Sequence, residues 1–317
     1  MRVVRLQTIP PRLIKFSHGV SACVGLLVLA SLLPGLQLGA GGQTPERPIT
    51  LAVLDFGDSA IARLASQKLM TNLKQETALI VLDQDQARAA VRGAGYAGSL
   101  NLSLNEARNL GAVVGCDFFI LGDAQTLRRS PSTGSSYFDS YASMFLVSAR
   151  TGRLVSWERP NFQAATPAEA EKLLVAELSN ENAHHRFVTS IRRAQEDERG
   201  ERALPIDQQT PIIEAAPDDD KSAGAVGLRM PHPYRRLVPA YPETAARAEA
   251  EAMVDVLVDL DAAGEVTHIE VARWAGFGLD QATVATVRQL HFFPAMRNGV
   301  AIPIRVLLRY NFRKPPK

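Results

Sequence analysis

Apolar and polar positions divide the chain into four stretches. Phe16 to Gln43 contains no Asp, Glu, Lys or Arg and is dominated by Val, Leu, Ala and Gly. From Ile49 onward, short apolar runs alternate with segments of helical spacing, the pattern of a mixed α/β domain. A polar stretch from about Gln195 to Met230, with its EDERGER run, Pro205, Pro211, Pro217 and Asp218-Asp219-Asp220, interrupts that pattern and reads as a linker. The alternation then resumes to the end of the chain.

In the second stretch, Ile49 to Phe56 (ITLAVLDF) predicts a buried strand, and Asp58 or Ser59 can cap a helix running to about Glu76. Ala78 to Leu82 is a second strand. Asp83 opens a helix with Ala87, Ala90 and Val91 on one face, Ser103 opens another through Val114, and Asp117 to Gly122 is a third strand. Tyr137 to Ala149 and Arg153 to Trp157 predict a hairpin about Arg150-Thr151-Gly152. Thr166-Pro167 starts a helix that reaches about Arg193, with threonine as cap and proline in the first turn. In the last stretch, a short alanine-rich helix follows Tyr241-Pro242. Met253 to Leu260 and Val266 to Ala272 are strands about the Asp261–Gly264 turn, Leu279 to Leu290 has helical spacing, and Ile302 to Phe312 is a closing strand beyond Asn298-Gly299.

The chain has 317 residues, enough for two domains or two plus an appendage, and its charges nearly cancel at +2. With 46% hydrophobic and 21% charged residues it is a folding chain, and a polybasic nucleic-acid binder is disfavoured. Two cysteines, Cys23 in the apolar run and Cys116 in the second stretch, offer neither a disulfide framework nor a cysteine metal cluster.

The charge-free run is membrane-directed. Gly19 to Leu38 has about the 20 residues that cross a ~30 Å hydrocarbon core, and Arg2, Arg5, Arg12 and Lys15 before it favour a cytoplasmic amino terminus. Two fates stay open. The segment is kept as a single-pass anchor of the inner membrane, or it is a signal cleaved near Ala40-Gly41-Gly42, releasing the chain to the periplasm.

No cofactor, metal or catalytic residue is expected. Gly93-Ala94-Gly95-Tyr96-Ala97-Gly98 satisfies the glycine pattern of dinucleotide loops, but a helix and not a strand precedes it, so the pyrophosphate would not meet a helix amino terminus. His184-His185 point about 100° apart on a helix and lack a third ligand at readable spacing, so they are read as a solvated face. No nucleophile stands with a base at a spacing that suggests hydrolysis.

Two resemblances follow. Leu51-Ala52-Val53-Leu54-Asp55-Phe56, then Glu106 to Gly111, then Gly115 to Gly122, then Thr151-Gly152, resemble the CsgG-like group of envelope proteins, related in shape to the amino-terminal domain of TolB. Such a fold serves pores, synthase activators and scaffolds alike. Tyr241-Pro242, Val258-Asp259-Leu260-Asp261 before Gly264, Gly278-Leu279-Asp280, Phe293-Pro294-Ala295, Asn298-Gly299 and Tyr310-Asn311-Phe312 resemble, in order and spacing, the carboxy-terminal domain of the TonB energy-transducer family. Ala252 stands where that family usually has a glycine.

The expected architecture is therefore α+β. It comprises a transmembrane or signal segment (1–45), a CsgG-like α/β domain (46–194), a polar linker (195–230) and a small TonB-like domain (231–317) with a three-stranded sheet and two helices. The TonB resemblance implies a periplasmic module that grips outer-membrane transporters when an extended receptor peptide pairs with an open sheet edge. The residues this assigns to the partner are Tyr241, Pro242, Ile302, Ile304, Arg305, Val306, Leu307, Leu308, Arg309, Tyr310, Asn311 and Phe312. Arg305 and Arg309 share a strand face, where they meet an acidic partner or guard the edge as solvated charges. The resemblance further implies coupling to a proton-driven motor of the ExbB and ExbD kind through His18, with Ser17 and Ser21 beside it. The same open edge allows a strand-exchanged homodimer. The alternative function is a non-transducing envelope scaffold or assembly protein that works through its CsgG-like domain.

Overall fold

Ile49–Val53 forms strand β1, and its side chains alternate between two cores as a period of two dictates. Leu51 and Val53 enter one core, and Ala52, with Leu54 just beyond the strand, enters the other. In this computed structural model, residues 47–203, 213–217, 224 and 227–314 are described. The expected membrane segment, with Ser17, His18 and Ser21, lies outside them. Among the described residues no helix is long and apolar enough to cross a membrane. By their contacts, Arg47–Lys317 form one compact unit.

β1 is followed by α1 (Ala60–Leu73), β2 (Leu79–Val81), α2 (Gln84–Gly93), α3 (Leu104–Val114), β3 (Phe118–Arg129), β4 (Tyr137–Ser148), β5 (Leu154–Glu158), β6 (Asn161–Ala164), α4 (Pro167–Leu178) and α5 (Glu181–Ala203). The helices start where side-chain acceptors wait for orphan amides. Ser59 accepts from Ala62, Asp83 from Asp85 and Gln86, and Thr166 from Glu169. Ser103 and Glu106 close a reciprocal capping box. The sheet order is β2-β1-β3-β4-β5, with β6 also paired to β4. β1 runs parallel to β2 and β3, and the β3–β4 and β4–β5 pairings are antiparallel.

α1, α4 and α5 cover one face of this sheet around Leu69, Leu174 and Phe187. α2 and α3 cover the other, around Ala87, Ala107 and Leu110. β3 extends seven residues past the expected Gly122, to Arg129, along β4, and β6 is a further strand. The long helix expected from Thr166 breaks at Ser179-Asn180. There the buried Asn72 amide donates to the carbonyls of Leu178 (3.2 Å) and Asn180 (3.0 Å), holding the break in place. α5 then runs to Ala203, into the stretch read as linker, where Glu198 and Glu201 pair with Arg150 and Arg153.

The last part of the chain contains β7 (Leu228–Arg229), β8 (His232–Pro233), α6 (Glu243–Ala248), β9 (Ala252–Leu260), β10 (Val266–Arg273), α7 (Leu279–Val287), β11 (Phe292–Phe293), β12 (Ala295–Arg297), β13 (Val300–Ile302) and β14 (Ile304–Phe312). The expected three-stranded sheet and two helices are present, and the strands run in the order β10-β9-β14. Val254, Val256, Val258 and Leu260 alternate into a core closed by Leu279, Val287 and Phe292.

The two folded parts share side chains. Trp274, at the end of β10 and 1% exposed, enters the core of the first domain, stacks on Phe145 with ring centroids 6.0 Å apart, and donates its indole N–H to the Gly152 carbonyl at 3.0 Å. Gly152 has φ 73°, and a Cβ there would stand 2.1 Å from the Leu104 oxygen, so only glycine permits this turn. Asn101 adds a polar clamp, donating to the carbonyls of Met253 (2.8 Å) and Trp274 (2.6 Å) and accepting from the Met253 amide (3.1 Å). The edge of the terminal sheet formed by β10 meets the first domain here, through the Ser103–Arg273 bridge.

Candidate functional site

β14 pairs with β9 along its whole length, from Ile304–Leu260 to Phe312–Ala252. Ile304, Val306 and Phe312 point into the core and are buried, whereas Leu307 on the opposite face is 51% exposed. The backbone alternates in the same way. Arg305 turns its amide and carbonyl away from β9, toward Glu214 and Ala216, so the amides and carbonyls of Leu307, Arg309 and Asn311 share that outward side. β14 is thus the far strand of its sheet, and its outer edge is occupied at Arg305 by a short parallel bridge to Ala215.

Arg305 and Arg309 are not awaiting an acidic partner. Each faces an aspartate across the β9 register, Asp259 and Asp255 respectively. Arg305 makes two bonds to Asp259, at 2.5 and 2.7 Å, and Arg309 two to Asp255, at 2.7 and 2.9 Å. Two-pronged pairs of this kind are stronger and more directional than point contacts, and each guanidinium is held above its usual pKa chiefly by its hydrogen bonds to the aspartate. Because the aspartate side chains are only 1% and 7% exposed, the arginines serve first as their cover. The sequence shows the alternation of acidic and apolar residues in Met253–Leu260, but only strand register reveals which arginine each acid meets.

The remaining expected residues divide by position. Ile302 belongs not to β14 but to β13, paired with Ala295 of β12, and Pro303 separates the two strands. Tyr241 donates its hydroxyl to the Ala250 carbonyl at 2.7 Å, tying both ends of α6, and Pro242 caps that helix. Tyr241 packs against the terminal core, and Pro242 stands beside Gly278 at the start of α7. Leu308 and Tyr310 are partly buried against the same core.

Gly278-Leu279-Asp280 opens α7 through a glycine at φ 81°. Asp280 accepts from the amides of Ala275 and Gly276, both at 2.8 Å, and so fixes the turn that carries Trp274. Burial pushes its carboxyl up to about 6, against those two amides, which favour the charge. Since the folded value lies above the ordinary 3.8, folding takes up a proton at Asp280. Its contribution is complete below about pH 4 and is lost as pH rises through about 6. A carboxyl-detected NMR titration is expected to place Asp280 near 6, and Asp280→Asn to flatten the fall in stability over that window; a midpoint at or below the ordinary value would contradict this.

Elsewhere, the glycine-pattern loop follows helix α2, as the sequence indicated, and its Tyr96 and Gly98 line a cleft of about 630 Å³ with Asp55, Arg88 and Arg92. Asp55 is already engaged there by Arg88, at 2.7 and 2.9 Å. Of the His184-His185 pair only His185 is exposed, as read; His184 is 7% exposed with its Nδ1 unpartnered. Glu76, remote in sequence, joins the two histidines in a group whose ligand atoms lie within 4.8 Å of one another.

Residues 238–313 match the family described as Gram-negative bacterial TonB protein C-terminal. The terminal domain belongs to the TonB carboxy-terminal family. That match ends at the TonB-type domain, and the CsgG-like reading of the first domain stands on its motifs alone. Among solved structures, the TonB carboxy-terminal domain of Pseudomonas aeruginosa is 20% identical over 27% of this chain and 89% of its own, with a TM-score of 0.24. Lipoprotein GNA1162 of Neisseria meningitidis is 12% identical over 47% and 99%, with a TM-score of 0.29. The LpoB carboxy-terminal domain of Escherichia coli is 19% identical over 39% and 87%, with a TM-score of 0.25. All three are too distant for anything to be carried from them to this chain. No curated protein matches it.

Proposed function

We propose that the chain is a TonB-like periplasmic adaptor, held in the inner membrane by its amino-terminal segment, that grips outer-membrane transporters by adding their extended segment to the outer edge of β14. The observation that carries this reading is the row of backbone groups at Leu307, Arg309 and Asn311 that face away from β9, on a strand whose charged side chains are already neutralised. Main-chain bonds along such an edge supply grip with little demand on side-chain identity. A photo-activated cross-linker placed at Leu307 in cells is the test, and capture of a transporter there is the expected outcome. The same reading carries force from a proton-driven motor through His18, and uptake unchanged by His18→Ala would remove that part.

A second reading, a non-transducing envelope scaffold, is favoured by the shared core. Trp274 and Asn101 bind the TonB-type domain to its neighbour instead of leaving it on a free spacer. Mass spectrometry of the mature amino terminus separates the two. A first residue at or near Gln43 means a released protein and ends the transducer reading, whereas an intact amino terminus is required by it.

A further inference from the structure

The backbone bonds at Arg305 come from this chain itself. The Arg305 amide donates to the Glu214 carbonyl at 2.8 Å, and the Ala216 amide donates to the Arg305 carbonyl at 2.7 Å, which is the ladder of a parallel strand pair centred on Ala215. Glu214 also presents both carboxylate oxygens to Arg297 of β12, at 2.8 and 2.6 Å, and Ala216 packs against the terminal core. Glu214–Ala216 therefore pair with the edge strand about a single bridge at Ala215, although the surrounding sequence (IEAAP) has little strand preference of its own.

We infer that residues 213–217 are a resident strand in the acceptor edge of β14, and that the edge takes extended acidic segments of the same make-up, which must displace it. This rests on the strand-addition reading for its biological partner, and it adds what that partner looks like. The Arg297 guanidinium, which meets both oxygens of Glu214, selects a carboxylate at the place Glu214 fills. The position of Ala216 takes a small side chain, because Ala216 is partly buried against the core, whereas Ala215 is exposed and sets no size limit. Parallel direction follows from the bond pattern. The hold is built to be broken: it consists of two main-chain bonds and one ion pair whose partners are 33% and 54% exposed. Beyond Arg305 the outward groups of Leu307, Arg309 and Asn311 extend the same ladder, so an incoming segment longer than the resident one gains bonds that the resident does not make. An edge already occupied lowers the apparent affinity for any incoming strand by the fraction of time it stands open. It also blunts the edge against pairing with other copies.

The test uses the full-length chain and a synthetic peptide copying residues 212–217 (IIEAAP). In the wild type, hydrogen exchange is expected to show a protected Arg305 amide. In Glu214→Arg, which sets like charge against Arg297, that protection is lost, while the Leu308 and Tyr310 amides facing β9 stay protected. The peptide then binds the variant about tenfold tighter or more than the wild type, and a peptide with lysine for glutamate does not. Ala216→Pro, which removes the donor to the Arg305 carbonyl, is a second variant should the first not fold. An Arg305 amide that exchanges freely in the wild type, equal peptide affinity for wild type and variant, no binding to either, or equal binding of the lysine peptide would each overturn the inference. No transporter enters this experiment. Transporter capture failing at Leu307 while these results hold would remove the receptor reading and leave the resident strand in place, and the reverse outcome would do the opposite.

Discussion

Trp274→Ala is expected to cost about 3–5 kcal/mol of stability and to part the TonB-type domain from its neighbour. The indole is 1% exposed and fills the core that Ala52, Phe119 and Phe145 line, so its loss removes packing on both sides of the junction at once. It also strands the Gly152 carbonyl, which accepts the indole N–H. Because the side chain belongs to one domain and the cavity to the other, one cooperative unfolding transition is expected to become two. Calorimetry checks this, and a single transition with an unchanged midpoint would show that the junction contributes nothing. Trp274→Phe keeps most of the ring but not the donor, and is expected to lose less and to remain a single transition.

The other large effect is at Arg305. Arg305→Ala leaves the Asp259 carboxylate, 1% exposed, without its two-pronged partner. Removing one member of a buried pair typically costs about 3–5 kcal/mol, because the remaining charge stays desolvated. Arg305→Lys keeps the charge but not the planar fork and is expected to lie between the two. Denaturant unfolding monitored at the terminal domain reads both. A loss below that of an ordinary surface substitution would mean that Asp259 finds water or another donor. Weakened partner binding in Arg305→Ala therefore cannot be read as a lost contact unless stability is measured beside it, whereas Leu307, exposed and with no outward backbone partner among the described residues, can be altered without that confusion.

The sequence carried the local structure well. Ser59, Asp83, Ser103 with Glu106, and Thr166 are each the residue that satisfies the first amides of a helix, so the starts of α1 to α4 could be read from chemistry alone. The period-two apolar run of β9 likewise announced a strand with one buried face. What depended on register or on remote partners was not legible. The acidic positions of Met253–Leu260 did not reveal what Asp255 and Asp259 face, and Arg305 and Arg309 were open to an acidic partner or a guarding role until β14 was laid against β9. The break between α4 and α5 depends on Asn72, a residue of α1 that no helical pattern connects to it. Ile302 was read as the start of the closing strand, and Pro303 is what parts it from β14, since proline lacks the amide of a ladder. Trp274 gave no periodic signal at all, being one aromatic residue between a strand and a turn. Glu214–Ala216 were hidden by composition, because their strand geometry is imposed by the edge they rest on.

The account turns on whether another polypeptide is laid along β14. The most direct measurement compares photo-cross-linkers at Leu307 on β14 and at His268 on β10 in intact cells, with captured proteins identified by mass spectrometry. Capture of outer-membrane transporters from position 307, and not from 268, is the result the account predicts. Equal capture from both strands, or none from 307, would contradict it.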